Sequence, residues 1–400
     1  MKSIYNFINK YKKEIIVILI LIIISIGIYY FYYRENFINE GFFTTTTPII
    51  NQEWTQLGND IDGEAPYDNS GYSVSLSADG TIVAIGALYN NSDNGQYQYL
   101  GHVRIYKYDG TSWGLLGQEI DGEAAGDLSG YSVSLSADGK IVAIGATGND
   151  GNGSNSGHVR IYKYDGTSWT LLGQEIDGEA AGDNSGYSVS LSADGHTVAI
   201  GATINDGVNF SDSGYVRIFE YDGTRWTQKG ISIDGEAAGD LSGISVSLSA
   251  DGKIVAIGAP GNDGNGRQDS GHVRIYKYDG TSWELLGQEI DGDAADDYSG
   301  RSVSLSSDGT IVAIGAQGND GDNGQYQYLG HVRIYKYDGT SWTLLGQEID
   351  GEAPYDQSGY SVSLSSDGTI VAIGTPYNYD NGQDSGHVRI YKYDGTSWEK

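Results

Sequence analysis

The sequence predicts an all-β fold, a six-bladed β-propeller of four-stranded antiparallel blades, preceded by one N-terminal transmembrane helix. Three observations carry that expectation. Trp54, Trp113, Trp169, Trp226, Trp283, Trp342 and Trp398 mark a repeat with a period of 56 to 59 residues. A fixed period of this length signals supersecondary units that bury their cores against neighbours. Each unit also contains four strand-like runs separated by Gly, Asp and Asn. Finally, residues 15–33 carry no charge, whereas the repeats that follow are strongly acidic.

The elements of a repeat follow from pattern. The run YSVSLS alternates apolar and small polar residues, as a half-covered strand does. IVAIGA is apolar throughout, as expected of a strand covered on both faces. GHVRIYKY supplies the third strand and SWTLLGQEI the fourth. Asp-Gly turns join the first pair (Ala78-Asp79-Gly80) and the last pair (Tyr108-Asp109-Gly110), a strong hairpin signal. A longer Gly/Asn/Asp loop joins the second strand to the third. The repeats open on a fourth-strand pattern, WTQLGNDI, from Trp54 to Ile61, and Trp398-Glu399-Lys400 starts another. The expectation is that the N-terminal strand completes the last blade and closes the ring, hiding both edges.

Composition narrows the class. With 60 Gly, 5 Pro and no Cys in 400 residues, the chain is turn-rich and uses neither disulfides nor thiolate metal sites. The net charge is −30; residues 1–45 hold five basic and three acidic side chains, so the remainder carries −32. Such a surface repels nucleic acid and favours cations and basic partners. Residues 15–33 span about 28 Å as a helix, enough for a bilayer core of roughly 30 Å. Lys10, Lys12 and Lys13 precede the run, and an aromatic cluster, Tyr29 to Tyr33, ends it. The positive-inside rule then gives a cytoplasmic tail (1–13), an uncleaved single-pass helix (14–33), a stalk (34–50) and a propeller (51–400) outside the cell, in a lumen or on a virion. A cleaved signal peptide is the competing reading, against which stand the long apolar run and the absence of a small-x-small site. The Ile-, Asn-, Lys- and Tyr-rich start hints at an AT-rich genome, a viral one among the options.

At SGYSVSLSADGKIVAIGA the unit resembles the FG-GAP repeat of integrin-α-like propellers. The matching residues are Gly71-Tyr72-Ser73-Val74 and Gly86-Ala87, with Ala259-Pro260 completing one Gly-Ala-Pro, and the resemblance covers residues 54–400. It implies a propeller used for extracellular binding or adhesion. The family's calcium loop between the first two strands is shortened here to one carboxylate per unit: Asp79, Asp138, Asp194, Asp251, Asp308 and Asp367. One Asp cannot supply the six to eight oxygens that calcium takes, so those sites do not carry over.

Three sets of residues invite a function. His102, His158, His272, His331 and His387 share one register, with Tyr215 in the third unit. One per blade, they lie too far apart to share a metal and read as strand-end hydrogen-bonding residues. Asp150 and Asn152, and Asp263, Asn265 and Asp269, space oxygen-bearing side chains as a loose calcium loop does, although turn chemistry explains the same residues. The tyrosines break the equivalence of the units. Tyr97, Tyr99, Tyr326, Tyr328, Tyr377 and Tyr379 lie in loops between second and third strands, and Tyr67 and Tyr355 in linkers that read EAPYD where units two to four read EAAGD. After closure these make one Tyr-rich sector of a loop face, suited to a protein or glycan ligand; duplication history alone is the other reading. Sequons at Asn90, Asn152 and Asn209 fit exposed loops on a secretory route. Near-identical units present the same chemistry around the ring, so the chain is expected to be a binding protein and not an enzyme. The alternatives are a carbohydrate-active lyase or glycosidase and a purely structural surface protein.

Overall fold

The computed structural model describes residues 55–91, 98–204, 211–320, 328–378 and 385–400. The predicted helix at 14–33, its flanks and Trp54 lie outside the described residues, among which no helix is long and apolar enough to cross a membrane. The chain divides into units Met1–Leu57 and Gly58–Lys400. The second unit is an all-β six-bladed propeller with antiparallel blades.

Blade one shows the plan. Ser73–Leu76, Ile82–Ala87 and His102–Tyr108 pair in order. The predicted fourth strand is split in two: Trp113–Leu115 pairs with one end of the third strand, at Tyr106–Tyr108, and Ile120–Asp121 with the other, at His102–Val103. The break falls at Gly117, whose φ is 80°, and blade three, which has Gly230 at 81° but no Gln after it, breaks in the same place. In blade one a contact with the next blade reinforces it. The Gln118 side chain donates to the Trp169 carbonyl at 2.7 Å and accepts from the Trp169 amide at 2.9 Å.

Cores form between blades, not within them. Ile82, Ala84, Val103, Ile105 and Ile120 of blade one pack against Val133, Leu135, Val142, Ile144 and Trp169 of blade two, and equivalent clusters join the next four pairs. The Trp indole nitrogen donates across the junction, from Trp169 to Leu116 O at 2.7 Å for example. The second-strand glycine is required there. A Cβ on Gly86 would lie 2.2 Å from the Gly130 carbonyl of blade two.

The expected closure by the N-terminal strand is not what forms. The outer strand of blade six is the chain's own Trp398–Glu399, with Trp398 buried and bonded to Leu345 O. Asp62 and Glu64 instead dock on Arg104 of blade one, just as Asp121 and Glu123 dock on Arg160 of blade two. The faces that a sealed ring would join are open. Val74 and Leu76 are 62 % and 60 % exposed, whereas Val133 and Leu135 are 9 % and 7 % exposed. Val388 is 66 % exposed where its counterparts are fully buried. Among the described residues no carbonyl of another blade covers Gly374, the equivalent of Gly86. Leu135→Ala is therefore expected to cost about 2–5 kcal/mol and Leu76→Ala under about 1 kcal/mol in denaturant unfolding. Equal costs would mean that blades one and six are sealed in solution.

Candidate functional site

First strands of successive blades lie side by side at the centre. Their opening residues form an aromatic row, with Tyr131 ring centroids 5.2 Å from Tyr72 and 4.9 Å from Tyr187. Further round, the Arg301 guanidinium sits 4.4 Å from the Tyr360 ring. The loops between second and third strands and the linkers between blades share one face, as expected. The linker backbone bonds to the loop of the blade it leaves, through Leu128 N to Tyr99 O and Gln357 N to Tyr328 O.

This face is built on buried carboxylates. Asp127 accepts from the Glu123 and Ala124 amides and from the Asn149 side chain, and Asp356 accepts likewise from Glu352, Ala353 and Asn378. The same frame buries Asn90, whose amide donates to Asp68, so the first sequon is no exposed acceptor. Asn152 is exposed with its amide bonded to Gly178 O, and Asn209 lies outside the described residues.

The residues of the loose calcium pattern make turn hydrogen bonds. Asp150 accepts from the Asn155 amide and Asp263 from the Asp269 amide. The Asn152 amide N–H takes the Ser156 hydroxyl, Asn265 donates to Asp291, and Asp269 accepts from Gln268. Asn91 and Asp320 do in blades one and five what Asp150 does in blade two: they accept from the Tyr99 and Tyr328 amides. These residues pin the loops that carry the tyrosines.

The described tyrosines lie on that face, but the expected single sector is divided between blade one and blades five and six, because the faces at the junction of blades six and one are exposed. Tyr67 is 79 % exposed and Tyr355 50 % exposed, with Tyr99, Tyr328 and Tyr377 also exposed. The Tyr328 and Tyr355 rings lie 6.4 Å apart, and Tyr360 meets Tyr377 edge-on at 6.5 Å. Tyr97, Tyr326 and Tyr379 lie outside the described residues. Sequence reasoning missed Tyr89, which packs on Tyr99 at 5.3 Å and occupies the register of Tyr377. Its signal was that register, two residues past the second strand, where blades two, four and five have Gly148, Gly261 and Gly318.

The backbone beneath these rings is unusual. Tyr67 and Tyr355 have φ of 73° and 69°, in the position that Gly126, Gly182 and Gly239 fill at 88°, 88° and 83°. Tyr99 and Tyr328, at 49° and 52°, replace Asn155, Asp212 and Asp269. Left-handed backbone costs a bulky residue roughly 1–2 kcal/mol that glycine avoids. Four exposed tyrosines thus sit where sister blades use the residues that suit the turn.

His387 is half-buried, whereas His102, His158, His272 and His331 are buried and their rings meet carboxylates. His102 Nδ1 lies 3.9 Å from Glu64 and 3.8 Å from Glu119, and His331 Nδ1 lies 3.7 Å from Glu348. Burial, reinforced by the neighbouring arginine, lowers the affinity of these rings for a proton, to a pKa of about 3 at His272 and His331. His102, His158, His272 and His331 are neutral at physiological pH.

The FG-GAP repeat model matches residues 121–162 and 350–391 of this six-bladed propeller. No curated protein matches in sequence. Among solved structures, a provisional 6-phosphogluconolactonase from Bacteroides uniformis is similar, with TM-score 0.55 and 14 % identity over 82 % of this chain and 83 % of that one. The periplasmic gluconolactonase of Pseudomonas aeruginosa is likewise similar, with TM-score 0.52 and 14 % identity over 82 % and 84 %. At that identity the likeness concerns the fold alone.

Proposed function

We propose that this chain is a membrane-anchored binding protein that engages a protein or glycan through the tyrosines of its loop face, outside a cell or on a virion. The observation that carries the reading is the left-handed tyrosines. Strain at exposed positions persists where it serves something other than stability, and exposed, rigid aromatic rings are the side chains that recognition favours. The uncharged run at 15–33 supports the anchor, and the −32 beyond residue 45 supports a basic or cation-bridged partner or one rich in hydroxyls.

The test displays the full chain in membranes and screens it against glycans and cell surfaces. Protease on intact membranes is expected to remove the propeller and leave the anchor. Tyr67→Gly with Tyr355→Gly is expected to weaken binding tenfold or more, about 1.4 kcal/mol, while thermal stability stays level or rises. Relieved strain of about 1 kcal/mol opposes a glycine entropy cost of roughly 0.5–1 kcal/mol. Binding that falls with salt identifies a charged partner, and salt-independent binding a stacked glycan. Normal binding by the double variant, with loss on mutating loops of blades two to four, sinks the assignment.

A further inference from the structure

In blade two, His158 opens the third strand with 1 % of its surface exposed, and among the described residues neither ring nitrogen has a hydrogen-bond partner. Its Nδ1 points at Glu175, 3.7 Å away, in the break of the split fourth strand. Glu123 arrives from the linker out of blade one, and Arg160 holds one of its oxygens at 3.2 Å. Candidate ligand atoms of Glu123, His158 and Glu175 lie within 4.8 Å of one another. The same triad recurs as Glu64, His102 and Glu119 in blade one and as Glu236, His272 and Glu289 in blade four.

We propose that each of these three triads binds one divalent transition cation of the zinc class, tying the incoming linker to the third and fourth strands of its blade. One imidazole and two carboxylates suit such a cation, whereas calcium takes more oxygens. Ligands about 2.0–2.1 Å from a zinc stand roughly 3.4 Å from each other. The half-exposed Glu side chains need only rotate inward by about 1 Å to reach that spacing, and solvent completes the coordination. The buried ring is already neutral, so at neutral pH the cation displaces no proton from it. Asp127 and Asp177 join Glu123 and Glu175 around the ring, so carboxylates outnumber the one Arg160 guanidinium, and the cation offsets part of that excess. The repulsion between Glu123 and Glu175 is offset at the same time. Blade three, with Tyr215 in the histidine register, and blade five, with Asp293 in place of the linker glutamate, fall outside the set.

The test strips the full chain in detergent with a chelator and titrates zinc chloride by calorimetry at physiological salt, with thermal unfolding alongside. Three equivalents are expected at micromolar affinity or tighter, with a rise in Tm, and excess calcium should not displace them. Changing Glu119, Glu175 and Glu289 together to Gln alters only part-exposed side chains and should abolish all three equivalents and the Tm rise. The variant His158→Tyr copies the residue that blade three tolerates and should remove one equivalent. Absence of saturable zinc binding would overturn the proposal. So would three equivalents that persist in the Gln variant, because the metal would then sit elsewhere on the acidic surface.

Discussion

Trp342→Ala is expected to lower unfolding stability by about 3–5 kcal/mol. The indole is 3 % exposed in the cluster between blades four and five, and its Nε1 donates to Leu286 O at 2.7 Å. Truncation opens a cavity and also leaves that buried carbonyl without its donor, which adds about 1–3 kcal/mol to the upper part of the range. Because each blade buries its core only against its neighbours, the damage should be local. Hydrogen exchange should quicken first in blades four and five and last in blade one. A loss under about 1 kcal/mol in denaturant, or uniform exchange across all blades, would contradict a core held between blades.

The second large effect is acid sensitivity at His331. Its folded pKa of about 3 lies below the unfolded value of about 6.5. The cause is burial, reinforced by Arg333 and partly opposed by Asp293; Glu348 is the other charged group facing the ring. A depressed histidine contributes stability that is complete above the unfolded pKa and is lost as the pH falls toward the folded one. The expected loss is about 1.4 kcal/mol per pH unit below about pH 6. His331→Tyr copies buried Tyr215, whose hydroxyl bonds to Asp183 at 3.2 Å. It should flatten the stability curve by that slope between pH 6 and 4 in chelator-containing buffer. Parallel curves for the two proteins would refute the assignment. Asp79 and Asp367, held near pKa 2 by Ser77 and Ser365 hydroxyls, add acid loss only in the lower window beneath pH 3.8.

Much of this molecule was legible in the chain. The Trp period, the alternation of YSVSLS and the Asp-Gly turns specified blades and strands, because these features act over a few residues and are satisfied within one hairpin. The split of the fourth strand was not legible. The one local signal in LLGQEI is Gly117, and a lone glycine in a strand pattern does not display its φ of 80°; the bond of Gln118 to Trp169 in the next blade then reinforces the break. The tyrosine sector was legible as composition, but its left-handed backbone was not, since a linker reading EAPYD does not display its φ angles.

Two further matters were decided only in three dimensions. The histidines read as isolated because each is alone within its own repeat. Their carboxylates stand 17 residues later in the chain for Glu175 and 35 earlier for Glu123, and only the return of the linker and the break in the fourth strand bring them to one ring. Closure is the other. The sequence by itself determined that six like blades follow one another and that a strand pattern stands before the first. Whether that strand reaches the last blade depends on curvature accumulated over five junctions. Each junction is set by side-chain packing and by contacts such as that of Gly86 with Gly130, and a small rotation at each adds up to a sealed or an open ring.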